Sequence, residues 1–220
     1  MKKFPIDEVL EILQKEKEKW DAPIVTLVSK RTKDPFQILV STILSLRTKD
    51  EVTAKATEKL LSIARTPEEI LKIPDEELEK IIYPVGFYRN KTRTLKKISK
   101  ILIEKYNGKV PDNLEELLKL PGVGRKTANL VLTEGFGKDA ICVDTHVHRI
   151  SNRWGIVKTK TPEQTEFQLM KVLPKKWWKD YNSILVAFGQ TICKPVGPKC
   201  EICPIKKYCP YANKRKNKKK

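Results

Sequence analysis

The 220-residue chain carries 45 Lys and Arg against 27 Asp and Glu, a formal charge of +18. A surplus of that size points to a polyanionic partner. An acidic membrane is a poor candidate, because no run of about 18 apolar residues, no signal peptide and no lipidation motif is read. A soluble, cytoplasmic protein of one large or two small domains is expected.

Asp7 to about Trp20 carries Val9, Leu10, Ile12 and Leu13 at helical spacing and reads as an amphipathic helix. Asp34-Pro35 then supplies an N-cap and a proline at the first helical position. The segment it opens, Phe36 to Leu46, is apolar nearly all round, so a central, buried helix is expected. Arg47-Thr48-Lys49-Asp50 turns polar and must emerge at the surface, with Asp50 capping a helix to about Ala64. Thr66-Pro67-Glu68-Glu69 is a capping box. Asp75 opens a short helix to Ile82, and Tyr83 to Arg89 is a loop mixing aromatic and basic groups. From Lys91 to Tyr106 the apolar positions again keep helical spacing, lysines and Arg93 take the other face, and Asn107-Gly108 ends the run.

Asp112 to Lys119 is a short capped run, followed by Leu120-Pro121-Gly122-Val123-Gly124-Arg125-Lys126-Thr127. The order helix, Gly-x-Gly turn, helix is a helix-hairpin-helix over about residues 112–135. Two glycines let the backbone approach a phosphate closely, and the second helix's N-terminus favours an anion, so the turn suits a DNA backbone held without base reading. A tight helix connection needing glycine only for geometry is the alternative. After the loop Gly135 to Asp139 and the segment Ile141 to Arg149, Thr161-Pro162 caps a helix to about Val172, and Tyr181 to Thr191 forms the last long one. Period-two strands are missing, so the fold class is all-α. The last ten residues carry six Lys or Arg and read as a disordered basic tail.

Cys193, Cys200, Cys203 and Cys209 are separated by six, two and five residues. A structural zinc usually takes two separated Cys-x-x-Cys pairs, and only one is present, which favours a 4Fe-4S cluster; zinc and free thiols remain as alternatives. Lysines crowd the same loop, so a structural role beside DNA is expected of it. Cys142 lies in an apolar stretch and reads as an inert core residue.

Leu120 to Ala128, Val143-Asp144-Thr145-His146 and the cysteine spacing, in that order, resemble the endonuclease III family, the iron-sulfur branch of the helix-hairpin-helix DNA glycosylases. The resemblance implies two helical domains with a DNA groove between them: residues 28–138, and residues 1–27 with 139–212, leaving 213–220 as the tail. It implies an enzyme acting on double-stranded DNA that contains damaged bases or abasic sites. A monomer is expected because flipping one base needs no two-fold symmetry, and the compact length points to a nucleoid-associated protein of a prokaryotic or archaeal cell. Lys126 would attack the sugar and form a Schiff base whose β-elimination nicks the strand, and Asp144 would stabilise the charge developing on the sugar. The helix dipole and Arg125 favour a free amine on Lys126. Gly122, Val123, Gly124 and Arg125 would hold the backbone, with His146 facing the DNA or satisfied in the core. Phe87 matches the apolar wedge, and Arg47 the position, glutamine in many relatives, that fills the gap left by the flipped base. Two other functions are weighed. A monofunctional mismatch glycosylase is disfavoured by the presence of Lys126 and by Thr42 where adenine-specific relatives carry glutamate. A non-catalytic DNA-binding protein would have no use for Lys126 and Asp144 together.

Overall fold

Helix α1 (Ile6–Glu16) starts one residue before Asp7, and the chain then tightens into a 3-10 turn at Lys17–Lys19 that ends short of Trp20. The computed structural model describes residues 4–20, 28 and 32–217, with backbone only from 214 onward. Among them every regular element is helical. The chain divides into two compact units, Met1–Pro23 with Ile141–Lys220, and Ile24–Ala140. The residues around the expected domain boundary near 28 lie largely outside the described ones.

The second unit is assembled on α2 (Pro35–Ser45). Asp34 caps it, its Oδ1 accepting the N–H groups of Phe36 at 2.8 Å and Gln37 at 3.2 Å. Eight of its eleven residues are buried, as its all-round apolar sequence requires. Ser41 and Thr42, buried among them, turn their hydroxyls back to the Ile38 carbonyl at 2.9 and 2.7 Å, so neither is left unsatisfied. Truncating Ile43 here would cost about 2–5 kcal/mol through transfer and cavity losses.

Helix α3 (Asp50–Ile63) packs on α2. Asp50 lies inside its first turn; the cap position is Lys49, which makes no side-chain cap bond. The capping box of α4 (Pro67–Lys72) forms as read, with Thr66 and Glu69 satisfying each other's backbone N–H. After α5 (Asp75–Ile82), helix α6 (Tyr88–Tyr106) begins one turn before Lys91, because Phe87 takes a left-handed conformation and becomes its N-cap. Left-handed Asn107 and Gly108 end it. The hairpin helices are α7 (Leu114–Leu118) and α8 (Arg125–Leu130), and α8 widens into a π turn at Val131–Gly135. That turn packs on α2, where Gly135 fits because a Cβ would stand only 3.1 Å from the Pro35 Cα.

The other unit packs α9 (Thr145–Trp154), α10 (Pro162–Val172) and α11 (Trp178–Thr191) with α1 around Leu10, Leu13, Trp154, Tyr181 and Phe188. Burial pushes the Tyr181 phenol up, and its hydroxyl pairs with Ser151 Oγ at 2.9 Å. The expected tail needs correction: α12 (Pro210–Asn217) runs through its first five residues, and residues 218–220 lie outside the described ones. Proline at the first helical position starts this helix, and buried Ala212 and the Tyr211 ring beneath Arg153 anchor it.

Candidate functional site

The hairpin is held at both ends. Asn113 Oδ1 accepts the Glu116 N–H at 2.9 Å and caps α7, and Leu117 and Leu120 are buried. At its far side Lys138 Nζ donates to the Asp112 carbonyl at 2.5 Å and to Asp112 Oδ2 at 2.7 Å, tying entry to exit. This bond holds the Asp112 carboxyl below the usual carboxylate range. Gly122 has φ +74°, and a Cβ there would press on Thr94 Cγ2 at 3.0 Å. Gly124, the N-cap of α8, has φ −94° and open space where a Cβ would go. Val123 has its side chain in the core and its N–H bonded to the Leu120 carbonyl at 3.1 Å. Arg125 and Lys126 occupy the first two positions of α8, both half-buried.

Elsewhere in the same unit, Arg47 and Phe87 come together. Both are left-handed, at φ +53° and +58°, and the guanidinium carbon lies 5.6 Å from the ring centroid. Phe87 is 60% exposed. Beneath them Lys91, read from sequence as part of a solvated face, is buried, and its ammonium bonds to the Leu44 and Leu46 carbonyls and Thr48 Oγ1. Partners more than forty residues away leave no local signal. Thr42 is buried with its hydroxyl spent on its own helix, so no acid stands at this position.

In the other unit, the buried segment Ile141, Cys142 and Val143 delivers Asp144 to the start of α9. Asn182 Nδ2 donates to the Cys142 carbonyl at 3.2 Å and fixes that segment. Asp144 Oδ1 accepts the Val147 N–H at 2.8 Å. The half-buried His146 ring lies on Gly189, where a Cβ would approach Nδ1 to 2.4 Å. Arg149 Nη2 stands 3.0 Å from His146 Nδ1 and donates to the Cys193 carbonyl at 3.0 Å, linking His146 to the cysteine loop. His148 Nδ1 meets Thr165 Oγ1 at 2.7 Å.

Cys193, Cys200, Cys203 and Cys209 line one cavity, walled by Trp154, Phe188 and Ile205 among others. Burial, with smaller contributions from the other three sulfurs, pushes the Cys203 thiol up to about 12. Arg153 clamps the loop, donating from Nη1 to Cys193 Sγ at 3.2 Å and to the Lys194 carbonyl at 2.8 Å, and from Nη2 to the Pro195 carbonyl at 3.0 Å. Among the described residues no group of three or more His, Cys, Asp or Glu is set to hold a single metal ion as it stands. Cys142 is buried apart from the four, as expected.

Residues 40–175 match the family described as HhH-GPD superfamily base excision DNA repair protein. The chain is 56% identical over 182 residues to endonuclease III of Thermotoga maritima, covering 83% of this chain and 85% of that one. It is similar in structure to a chain described as "Structure of a non-covalent Endonuclease III-DNA Complex", with a TM-score of 0.85, 38% identity and coverage of 96% and 97%. A second, "Structure of a Trapped Endonuclease III-DNA Covalent Intermediate: Estranged-Adenine Complex", gives a TM-score of 0.78 with 42% identity over 83% and 86% of the two chains. The chain therefore belongs to the endonuclease III family of the HhH-GPD superfamily of base excision DNA repair proteins. No helix among the described residues is long and apolar enough to cross a membrane.

Proposed function

We propose that this protein is a bifunctional DNA glycosylase and AP lyase that removes oxidised pyrimidines from double-stranded DNA and nicks the strand by β-elimination. One observation carries the reading. Lys126 stands at the second position of the helix that follows the Gly122-Val123-Gly124 turn, in a chain 42% identical to an endonuclease III described as a trapped covalent intermediate with DNA. In this reading the Lys126 nitrogen attacks C1′ as the glycosidic bond breaks and the bond's electron pair leaves with the base. Loss of the amine's proton and opening of the sugar give the Schiff base. Removal of a C2′ proton then expels the 3′-phosphate.

Asp144 stabilises the positive charge on the sugar, and its cap bond to Val147 holds the carboxylate in one orientation. Gly122, Gly124 and Arg125 hold the phosphate backbone, and the net charge of +18 supplies attraction that is independent of sequence. Arg47 and Phe87 fill the space of the extruded base. His146, beside Arg149, which donates to the Cys193 carbonyl, ties the start of α9 to the cysteine loop. An adenine-excising enzyme, the other glycosylase reading, has no support at Thr42, whose hydroxyl is bonded to Ile38.

The cysteine cavity fits an iron-sulfur cluster: four thiols of the right chemistry share one apolar-walled space, and Arg153 already donates to one sulfur. Cys193, Cys200, Cys203 and Cys209 would hold it. Bound there, it would tie four points of the loop together through iron–thiolate bonds.

The test is a labelled duplex with one oxidised pyrimidine, scored separately for released base and for strand breaks without alkali. Base release with a β-elimination nick is expected. Base release with an intact strand would replace this reading with the monofunctional enzyme.

A further inference from the structure

Lys91 is 6% exposed, yet among the described residues its ammonium has no carboxylate partner. Its three protons go to the Leu44 carbonyl at 2.8 Å, the Leu46 carbonyl at 2.5 Å and Thr48 Oγ1 at 3.0 Å. These oxygens belong to the end of α2 and the turn beyond it, where the helix dipole presents its negative pole. Thr48 Oγ1 is shared further, accepting the Gly86 N–H at 3.1 Å while donating to the Leu46 carbonyl at 3.3 Å. One ammonium and one hydroxyl thus join two segments remote in sequence, 44–48 and 86–91.

Each segment carries one strained residue. Arg47 and Phe87 are left-handed without being glycine, asparagine or aspartate, and such conformations persist only where the surroundings over-determine them. Gly86 allows the two segments to meet, because a Cβ there would stand 2.6 Å from the Arg47 carbonyl oxygen. The result is an arginine 5.6 Å from the ring of an exposed phenylalanine. Burial draws the Lys91 ammonium down to about 8, so the charge is kept at neutral pH against its own desolvation. That cost has a purpose if the geometry above it matters.

We propose that Lys91 is a positioning residue for base extrusion: through Leu44, Leu46 and Thr48 it holds Arg47 and Phe87 in the strained pair that enters the duplex. The inference rests on the reading of Arg47 and Phe87 as the pair that fills the space of the extruded base. Without the ammonium the turn relaxes toward ordinary backbone angles, and the pair is no longer aimed.

The test compares native protein with Lys91→Met, Thr48→Val, Phe87→Ala, Arg47→Ala and the double variant Lys91→Met with Phe87→Ala. Each is given the same oxidised pyrimidine in a fully paired duplex and in a short unpaired bubble, where no base has to be pulled from a stack. Lys91→Met should slow single-turnover excision from the paired duplex by about tenfold or more while leaving the bubble substrate within about twofold. Its loss should combine less than multiplicatively with that of Phe87→Ala, because both act through one wedge. Thr48→Val, which keeps the charge, should reproduce the effect more weakly and carries the test if Lys91→Met does not fold. Equal losses on both substrates, full activity on the duplex, or losses that multiply with Phe87→Ala would overturn the proposal. If Phe87→Ala and Arg47→Ala both leave duplex excision unchanged, the wedge reading itself fails and this inference falls with it.

Discussion

Asp144 Oδ1 accepts the backbone N–H of Val147 at 2.8 Å, so the carboxylate assigned to the sugar is also the N-cap of α9. Its two roles separate on substitution. Asn keeps a cap oxygen but no charge, whereas Ala loses both. Asp144→Asn should leave urea stability within about 0.5 kcal/mol of native and reduce turnover by about a hundredfold or more. Asp144→Ala should lose activity and about 1 kcal/mol of stability as well. Full activity in Asp144→Asn would remove the charge-stabilising role.

The two hairpin glycines answer different demands. Gly122 is left-handed and an added Cβ there would press on Thr94, whereas Gly124 has an ordinary backbone and nothing within 4 Å of an added Cβ. Gly124→Ala should therefore fold with stability changed by less than about 1 kcal/mol. Its affinity for duplex DNA should fall by about tenfold, since a methyl would stand where the backbone must approach a phosphate. Unchanged affinity in a titration at fixed salt would show that the turn serves only to connect helices.

Gly189 makes a different prediction. A Cβ would come within 2.4 Å of His146 Nδ1 and 3.1 Å of Arg149 Nη2, and Arg149 reaches the Cys193 carbonyl. Gly189→Ala should cost about 1–3 kcal/mol by overpacking, measured by urea unfolding. It should also loosen the cysteine loop, read as faster iron loss to a chelator. A stable variant with native iron retention would mean that His146 is not braced in this way.

Cys203→Ser should release the metal and with it the restraint on residues 193–209. The expected result is purified native protein with about four iron atoms and matching acid-labile sulfide, and a variant with neither and a lowered melting temperature. Zinc without sulfide would assign the cavity to a zinc site.

Much of this architecture is legible from local rules. Asp34-Pro35 announces α2, Thr66 to Glu69 announces α4, and the Gly122-Val123-Gly124 turn announces the hairpin, because each is decided by residues within one turn of each other. What escapes is decided at a distance. The left-handed angles of Arg47 and Phe87 have no signature in residues that normally avoid them. Lys91 lies on a lysine-rich helix and reads as solvated, and only the end of α2 beside it turns that lysine inward. The helix at Pro210–Asn217 is hidden beneath its charge, since Ala212 and Tyr211 anchor it through contacts with α9 and the core.

The most direct measurement is borohydride trapping on a duplex with one oxidised pyrimidine, comparing native protein with Lys126→Gln. The expected result is a covalent protein–DNA adduct and a nick with the native chain, and neither with the variant, which should still bind the duplex. An adduct that persists in Lys126→Gln, or native turnover that leaves no adduct, would contradict Schiff-base chemistry at Lys126.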